Sequence, residues 1–411
     1  MARTSASGEL TIWASGMSSP PGPTRDIFDA DGRALRHKGL RQANEKTVLT
    51  VVAFNSGVSN AEIARMSGLA PQTVSAILSG LGRDGLVERG EALRGRRGQP
   101  ATPILLNKDG AYAIGVELGW RHADVILLNL HAQVLGHYHI DYAYPDAHTL
   151  FDFIVTSVEK LKALLPPERQ ARLIDVGLAL PGGLAEGLAN IGAPEAQSAL
   201  WRDIDARAEL ATRTGLDVSV YNDGNAACWA EMIALERPRP ANIIYFLVSH
   251  YVGAGVIGDG MLWNGPTGNA ANLGLMLVRM DGAAPRQAYL IASLFALGER
   301  LAAAGKPHDI SAWRQWDWAS IEPEVASWIA DSAKALAWTA YNATTVLEEP
   351  LIIVDTVFGA DITQRLATQF RAELAALPVT GMAPPPVRTG GHGALAPAIG
   401  AAELPLFNRY F

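Results

Sequence analysis

The feature that most constrains this chain is a pair of short helical segments joined by a glycine-containing turn, in residues 59–81. Ser59 and Glu62 have capping-box spacing, in which the serine hydroxyl and the glutamate carboxylate each accept from the other residue's N–H. Pro71 suits the first turn of the second helix, where its missing N–H costs nothing. Four apolar residues recur at i, i+3, i+4 and i+7 and predict one buried face of that helix: Val74, Ile77, Leu78 and Leu81.

The opposite face of the second helix is small and neutral and can hydrogen-bond base edges in a major groove. Residues 85–89 predict a strand, and residues 94–100 an arm whose arginines, set between glycines, suit a narrow minor groove. The alternative is an ordinary helical hairpin with a solvated face, which would more often mix lysine with glutamate. We therefore predict a winged helix-turn-helix, with these candidate DNA-binding residues: Pro71, Gln72, Thr73, Ser75, Ala76, Ser79, Arg94, Arg96 and Arg97.

The charge distribution agrees with a DNA-binding head on a larger body. Residues 33–100 hold eleven Lys and Arg against five Asp and Glu, a net charge of +6. Because the whole chain carries −7, the remainder carries −13. A basic head and an acidic body are expected when only the head meets phosphate. Double-stranded DNA is thus the predicted macromolecular partner.

Length and composition predict several domains in a cytoplasmic protein. A chain of 411 residues is too long for one core. It has a single cysteine, Cys228, which excludes a disulfide framework, and no long uncharged apolar run that would predict a membrane span. The predicted division is a disordered tail at 1–37, the winged helix at 38–100, a first lobe at 101–240 and a second lobe at 241–411. The C-terminal segment either stays in the second lobe or returns to the first.

The body predicts an α/β fold in two similar halves. A hairpin over residues 113–130 is followed by a third strand, a helix, and the strands 174–180 and 218–221. A second set of strands and helices begins at residue 241. Three strands followed by alternating strands and helices, occurring twice, predict two lobes with a cleft between them.

Several motifs resemble those of the ROK (repressor, open reading frame, kinase) family, in the branch that includes xylose and N-acetylglucosamine repressors. Their order and spacing are specific, and the resemblance runs from Leu40 to the C-terminus. It implies an actin-like, sugar-kinase-like body of the ribonuclease H-like fold, a sugar effector, and a homodimer or dimer of dimers. The motifs lie at residues 40–44, 98–101, 179–183, 221–227, 253–260 and 268–276.

Three departures from the kinase pattern imply that phosphoryl transfer is lost. Glu117 stands where active members have an aspartate that helps hold magnesium and phosphate. Residues 249–251, Ser-His-Tyr, replace glycines of a phosphate-binding loop, and Asp355-Thr356 replaces a Gly-Gly pair. We expect no catalytic residues, no metal site, no cofactor and no enzymatic activity.

The resemblance also suggests a ligand site. Asp223 stands where the kinases take a proton from the sugar, and it either binds sugar hydroxyls with Asn222 or merely caps the following helix. Asn272 and Leu275 replace a glutamate and a zinc-ligating histidine, and no cysteine lies nearby, so we expect no zinc there. The candidate ligand-binding residues are Gly182, Asn222, Asp223 and Asn272.

The sequence as a whole predicts a DNA-binding repressor of carbohydrate-metabolism genes that senses a sugar in a kinase-like cleft without phosphorylating it. Ligand would shift the population between open and closed lobes and so change the spacing of the DNA-binding heads. Two alternatives stand: an active ATP-dependent sugar kinase with a DNA-binding head, and a ligand-blind DNA-binding protein.

Overall fold

The computed structural model describes most of the head and the body. The predicted tail, except His37, and the arm residues Arg94, Arg96 and Arg97 lie outside the described residues. None of the helices described is both long enough and apolar enough to cross a membrane. The described ranges are 37–91, 102–280, 282–348, 350–379 and 383–411.

A winged helix-turn-helix forms the head. The capping box is confirmed: the Glu62 N–H donates to Ser59 Oγ at 3.3 Å, and the Ser59 N–H donates to Glu62 Oε2 at 2.8 Å. All four residues of the predicted apolar face are buried, so the helical period identified the packing face correctly. The head elements are α1 (His37–Phe54), α2 (Asn60–Ser67), α3 (Pro71–Arg83), β1 (Val87–Arg89) and β2 (Ile104–Leu106).

Strand β2 departs from the sequence-based division, which assigns residues 102–107 to the body. It pairs antiparallel with β1, with Val87 opposite Leu106, and so completes the wing of the head. The Ile104 N–H also donates to the Val58 carbonyl oxygen at 2.9 Å. A short apolar run carries no local signal for which sheet it will join, so this pairing could not be read from the pattern.

The first lobe is built on a five-stranded sheet in the order β5-β4-β3-β6-β7. Strands β3, β4 and β5 are antiparallel neighbours, whereas β6 and β7 run parallel to β3. The elements are β3 (Tyr112–Leu118), β4 (His122–Asn129), β5 (Val134–Asp141), α4 (Ala147–Lys162), α5 (Pro167–Gln170), β6 (Leu173–Leu180), α6 (Leu184–Gly187), α7 (Glu195–Asp203), α8 (Ala206–Thr214), β7 (Asp217–Asn222) and α9 (Asp223–Ala234).

The second lobe repeats this design, with a five-stranded sheet in the order β10-β9-β8-β13-β14. The equivalent strand order confirms the predicted two-lobed actin-like body. Short 3-10 segments, including Ile310–Gln315, join some of its elements. The elements are β8 (Ile243–Val248), β9 (Val252–Gly258), β10 (Met261–Leu262), β11 (Leu277–Val278), β12 (Arg286–Gln287), α10 (Leu294–Ala303), α11 (Glu322–Leu347), β13 (Leu351–Thr356), α12 (Ala360–Ala376), β14 (Val387–Thr389) and α13 (Ala396–Tyr410).

The C-terminal helix α13 lies against the first lobe, where it packs on β3, β6 and α9. Two strand glycines allow this close approach. A Cβ on Gly177 would lie 1.7 Å from the Ala401 carbonyl oxygen, and a Cβ on Gly115 would lie 1.9 Å from that of Ala398. The helix backbone therefore rests directly on the sheet.

We expect Gly177→Ala to lower the free energy of unfolding by about 1–3 kcal/mol or more, because α13 must move away from β6. Urea unfolding followed by circular dichroism measures the change. Gly82→Ala is the matched control, since a Cβ there meets no atom within 4 Å and alanine favours the helix. Equal stability of both variants would contradict the close packing of α13.

The head is docked on the body through the same C-terminal helix. The Lys46 ammonium of α1 donates to the Asn408 carbonyl oxygen at 2.5 Å, and the Phe54 and Phe411 rings lie 6.2 Å apart. The orientation of the head is thereby tied to α13. Apolar residues of α1 and α13 belong to one core: Val48, Leu49, Val52, Ala398 and Leu406.

Candidate functional site

The described part of the predicted DNA-binding surface is the outer face of α3. It lies opposite the buried apolar face, as the helical period predicts. Its side chains are available to a DNA groove, and these predicted residues are all exposed: Pro71, Gln72, Thr73, Ser75, Ala76 and Ser79.

The hydrogen bonds within the head distinguish among these polar side chains. Ser75 Oγ accepts from Asn60 Nδ2 at 2.6 Å, and the Ser79 hydroxyl donates to the Ser75 carbonyl oxygen at 2.8 Å. Within the described residues, the side chains of Gln72 and Thr73 have no hydrogen-bond partner. These two residues, at the beginning of α3, have the greatest free capacity to bond base edges.

Sequence reasoning passed over three exposed arginines on the described part of the head. Arg65 lies in the last turn of α2, Arg83 in the last turn of α3, and Arg89 ends β1. Basic residues that flank a recognition helix suit contacts to the DNA backbone, which position a protein without reading sequence. The basic composition of this segment was the sequence signal that could have identified these arginines.

In the body, Gly182 and Asn222 come together at the ends of β6 and β7. A Cβ on Gly182 would lie 3.8 Å from Asn222 Nδ2 and 2.9 Å from Asn269 Oδ1. Asn269 was missed as a candidate, although it falls within a family motif. The absence of a side chain at Gly182 therefore allows the Asn269 amide to pack close to the end of β6.

Asn222 and Asp223 occupy the beginning of α9. Asn222 Oδ1 accepts from the Asn225 N–H at 3.2 Å, and Asp223 Oδ1 accepts from the Gly224 N–H at 2.7 Å. Burial raises the pKa of the half-buried Asp223 carboxyl, although the bond from Gly224 opposes that shift. The helix cap therefore uses one oxygen of each side chain, and Asn222 Nδ2 and Asp223 Oδ2 take no part in it.

Asn272 is exposed and precedes a 3-10 segment, Leu273–Leu275, which its side chain does not cap. The loop before it is held to α9, because Asn225 Nδ2 lies 3.2 Å from the Gly268 carbonyl oxygen and 3.3 Å from that of Ala270. The loop therefore lies beside the start of α9, and the role of Asn272 stays a prediction.

Glu117, at the predicted phosphate position, is electrostatically coupled to Asp223, at the predicted sugar position. Its carboxylate is buried, with Oε1 3.3 Å from His122 Nε2. Burial raises the pKa of Glu117, His122 opposes the rise, and the negative charge of Asp223 adds to it. The carboxylates of Glu117 and Asp223 are thus close enough to interact electrostatically.

Aromatic rings fill the two turns that the family resemblance predicts to replace phosphate-binding loops. Trp120, in the β3–β4 turn, meets Tyr251, in the β8–β9 turn, edge to face with ring centres 5.0 Å apart. Tyr251 also contacts Tyr289 and Phe295 at ring distances of 5.3 and 6.0 Å. Bulky side chains therefore join the two turns where a kinase needs bare backbone close to phosphate.

His250 does not supply a positive charge to this region. Its side chain is buried, and neither ring nitrogen has a hydrogen-bond partner within the described residues. Burial, with help from the positive charges of Arg121 and His122, lowers the pKa of His250 to about 3. The imidazole is therefore neutral at physiological pH and does not attract phosphate as a cation.

The backbone N–H groups of the glycine-rich loop after β14 donate hydrogen bonds to buried carboxylates. The N–H groups of Gly391 and His392 donate to Glu231 at 2.8–3.0 Å, and the Gly393 N–H donates to Asp355 at 2.9 Å. Burial and the nearby Glu231 raise the pKa of Asp355 to about 6. Amides that could receive an anion are therefore already bonded to acidic side chains of the chain itself.

Comparison with known proteins agrees with this architecture. Residues 113–406 match the ROK family, and residues 43–88 match a winged helix-turn-helix DNA-binding domain. The xylose repressor of Bacillus spizizenii is 27% identical over 252 residues, covering 59% of this chain. The match spans 62% of that repressor, which is less than two thirds of its length.

Solved structures show the same fold. A ROK family transcriptional regulator, a homolog of the E. coli MLC protein, superposes with a TM-score of 0.66 at 19% identity, covering 90% of this chain and 98% of that one. A ROK family glucokinase from Streptomyces griseus, in complex with glucose and AMPPNP, gives 0.55 at 20% identity, covering 72% and 99%. The chain belongs to the ROK family and carries a winged helix-turn-helix ahead of the actin-like body.

Proposed function

We propose that this chain is a sequence-specific DNA-binding transcriptional regulator of the repressor type, acting on genes of carbohydrate metabolism. The observation that carries the proposal is the outer face of α3, where Gln72 and Thr73 are exposed and uncommitted. The similarity to a xylose repressor supports it. As the head is a single reading unit, a homodimer or dimer of dimers on a pseudo-palindromic operator is part of the proposal.

The proposed effector is a monosaccharide or sugar derivative, bound between the lobes by Gly182, Asn222, Asp223 and Asn272. Asn222 and Asp223 offer an amide and a carboxylate side by side, which suits neighbouring hydroxyl groups. The close approach of the Asn269 and Asn222 amides to Gly182 supports a ligand at this place, because side-chain amides can bond sugar hydroxyls.

We further propose that the ligand is sensed and not phosphorylated. The contact between Trp120 and Tyr251 fills the turns that would approach phosphate. Glu231 and Asp355 place carboxylates on the loop amides, where they would repel a nucleotide. The alternative of an active sugar kinase has the fold of the solved kinases in its favour.

The packing provides a route from the ligand to the DNA. Asp223 begins α9, and α9 packs closely on α13, since a Cβ on Gly400 would lie 1.8 Å from the Ala226 carbonyl oxygen. Helix α13 in turn holds α1 of the head. In this mechanism a ligand that shifts α9 also shifts the head, and so alters the separation of two heads in a dimer.

Thermal denaturation with a panel of sugars tests sensing against catalysis. We expect one sugar, with xylose and N-acetylglucosamine as the first candidates, to raise the melting temperature. At a hundred times its Kd the stabilisation would be about 2.7 kcal/mol. ATP with magnesium should produce no shift, and a coupled assay should detect no ADP. Sugar-dependent ADP release would establish the kinase, and no shift with any sugar would favour the ligand-blind protein.

A further inference from the structure

Histidines and carboxylates form a cluster on one face of the first-lobe sheet, and none of them is a candidate sugar-binding residue. Asp124 of β4 lies directly opposite His139 of β5, and His137 is two residues before His139. Because alternate residues of a strand point to the same face, the three side chains converge there. We call Asp124, His137 and His139 the histidine cluster.

The donor atoms of the cluster are close together. His137 Nε2 lies 2.6 Å and His139 Nδ1 lies 2.8 Å from the same oxygen, Asp124 Oδ1. All three lie within 4.8 Å of one another. Ligands of a tetrahedral zinc ion at about 2.0–2.2 Å are roughly 3.3 Å apart, so a small outward movement of the two rings would admit an ion.

One histidine is already oriented for metal binding. His139 Nε2 lies 3.2 Å from Asp141 Oδ1, and Asp141 also pairs with Arg314 of the second lobe. The Asp141 carboxylate favours a proton on Nε2, while Nδ1 bonds to Asp124 Oδ1, so a metal ion that displaced the Nδ1 proton would find this nitrogen facing the cluster. Carboxylates orient metal-binding histidines in proteins in this way.

Next to the cluster, burial has left two polar atoms without hydrogen bonds. His122 Nε2 lies 3.3 Å from Glu117 Oε1 and 3.7 Å from Asp124 Oδ2, yet forms no hydrogen bond with a described residue. Glu117 Oε2 is also unpartnered within the described residues. The carboxylates of Asp124 and Glu117 are thus buried together, with side chains 2% and 6% exposed. A divalent cation would offset their negative charge.

We propose that Asp124, His137 and His139 bind one divalent cation of the zinc class, with water in the remaining position. Two imidazole nitrogens with one carboxylate oxygen favour zinc, cobalt or nickel over magnesium or calcium. His137 and His139 are about one third exposed, which leaves the ion accessible from solvent. A metal ion at this site departs from the sequence-based expectation that the chain holds no metal ion, an expectation that rested on the residues near Asn272.

Isothermal titration of the chelator-treated full chain with zinc chloride tests the site. We expect one ion per chain, and an affinity at least about 100-fold weaker in His137→Gln and His139→Gln, because even groups that only orient a ligand contribute about 10–100-fold. Asp141→Asn should weaken binding by about 10-fold, as expected of a positioning residue. His148→Gln, an exposed histidine outside the cluster, is the matched control.

Circular dichroism verifies that each variant is folded, and the visible spectrum of bound cobalt in the wild type reports the ligands independently. A four-coordinate spectrum with nitrogen and oxygen ligands supports the site. The proposal is overturned by an absence of zinc binding in the wild type, or by folded His137→Gln and His139→Gln variants that bind zinc as tightly as the wild type.

Discussion

Gln72→Ala should weaken binding to a specific operator duplex by about 1–3 kcal/mol, which is about 5- to 150-fold. Gln72 lies in the first turn of α3, is exposed, and has no partner within the described residues. A glutamine amide can donate to and accept from one adenine edge, and alanine removes both bonds. Thr73→Ala should act in the same direction, and the double variant should lose most of the preference for the operator.

Fluorescence anisotropy with an operator duplex and a shuffled duplex measures this effect. Affinity for the shuffled duplex should change little, because base contacts and not phosphate contacts have been removed. Thr47→Ala is the control, since Thr47 is exposed on α1, is not a candidate DNA-binding residue, and has its hydroxyl bonded to the Ala43 carbonyl oxygen. A Gln72→Ala protein that keeps full operator preference would show that α3 does not read bases through this residue.

Asp223→Asn should weaken sugar binding by about 1.5–3 kcal/mol, or about 10- to 150-fold, while leaving the fold intact. The substitution retains an oxygen that can accept from the Gly224 N–H, so the cap of α9 survives. It removes the charge that strengthens bonds from sugar hydroxyls. Calorimetric titration with the sugar found by thermal screening measures the loss.

Asp205→Asn provides the matched control for the capping role. Asp205 caps α8 by accepting from the Ala208 N–H, and it is not a candidate sugar-binding residue. The two variants should therefore have similar melting temperatures without ligand and differ only in sugar affinity. If Asp223→Asn bound sugar like the wild type, Asp223 would be a helix cap and nothing more.

Much of the head could be predicted because its determinants are local in sequence. A capping box acts over four residues, and the helical period identified the buried face of α3 correctly. The strand order of the body was also accessible, since strands alternating with helices restrict the topology. The pairing of β2 with β1 was not accessible, because the pattern of a three-residue strand does not show which sheet it joins.

The cleft was predicted less completely because its decisive contacts join residues far apart in sequence. Asn222 and Asp223 could be named because the family motif at residues 221–227 includes them. Nothing local indicates that Trp120 meets Tyr251 or that Glu231 bonds to the amide of His392. The histidine cluster could not be predicted for the same reason. Asp124 meets His137 and His139 only because β4 and β5 pair in this register.

Selection from a pool of random DNA duplexes by the purified chain tests the central claim most directly, because it presupposes neither operator nor effector. We predict an enriched, pseudo-palindromic sequence whose half-sites are spaced by about 10 base pairs or a multiple of it. The Gln72→Ala, Thr73→Ala double variant should fail to enrich it, and the effector sugar should reduce its recovery by the wild type. A pool that stays random after repeated rounds with the folded wild-type protein would contradict sequence-specific DNA recognition.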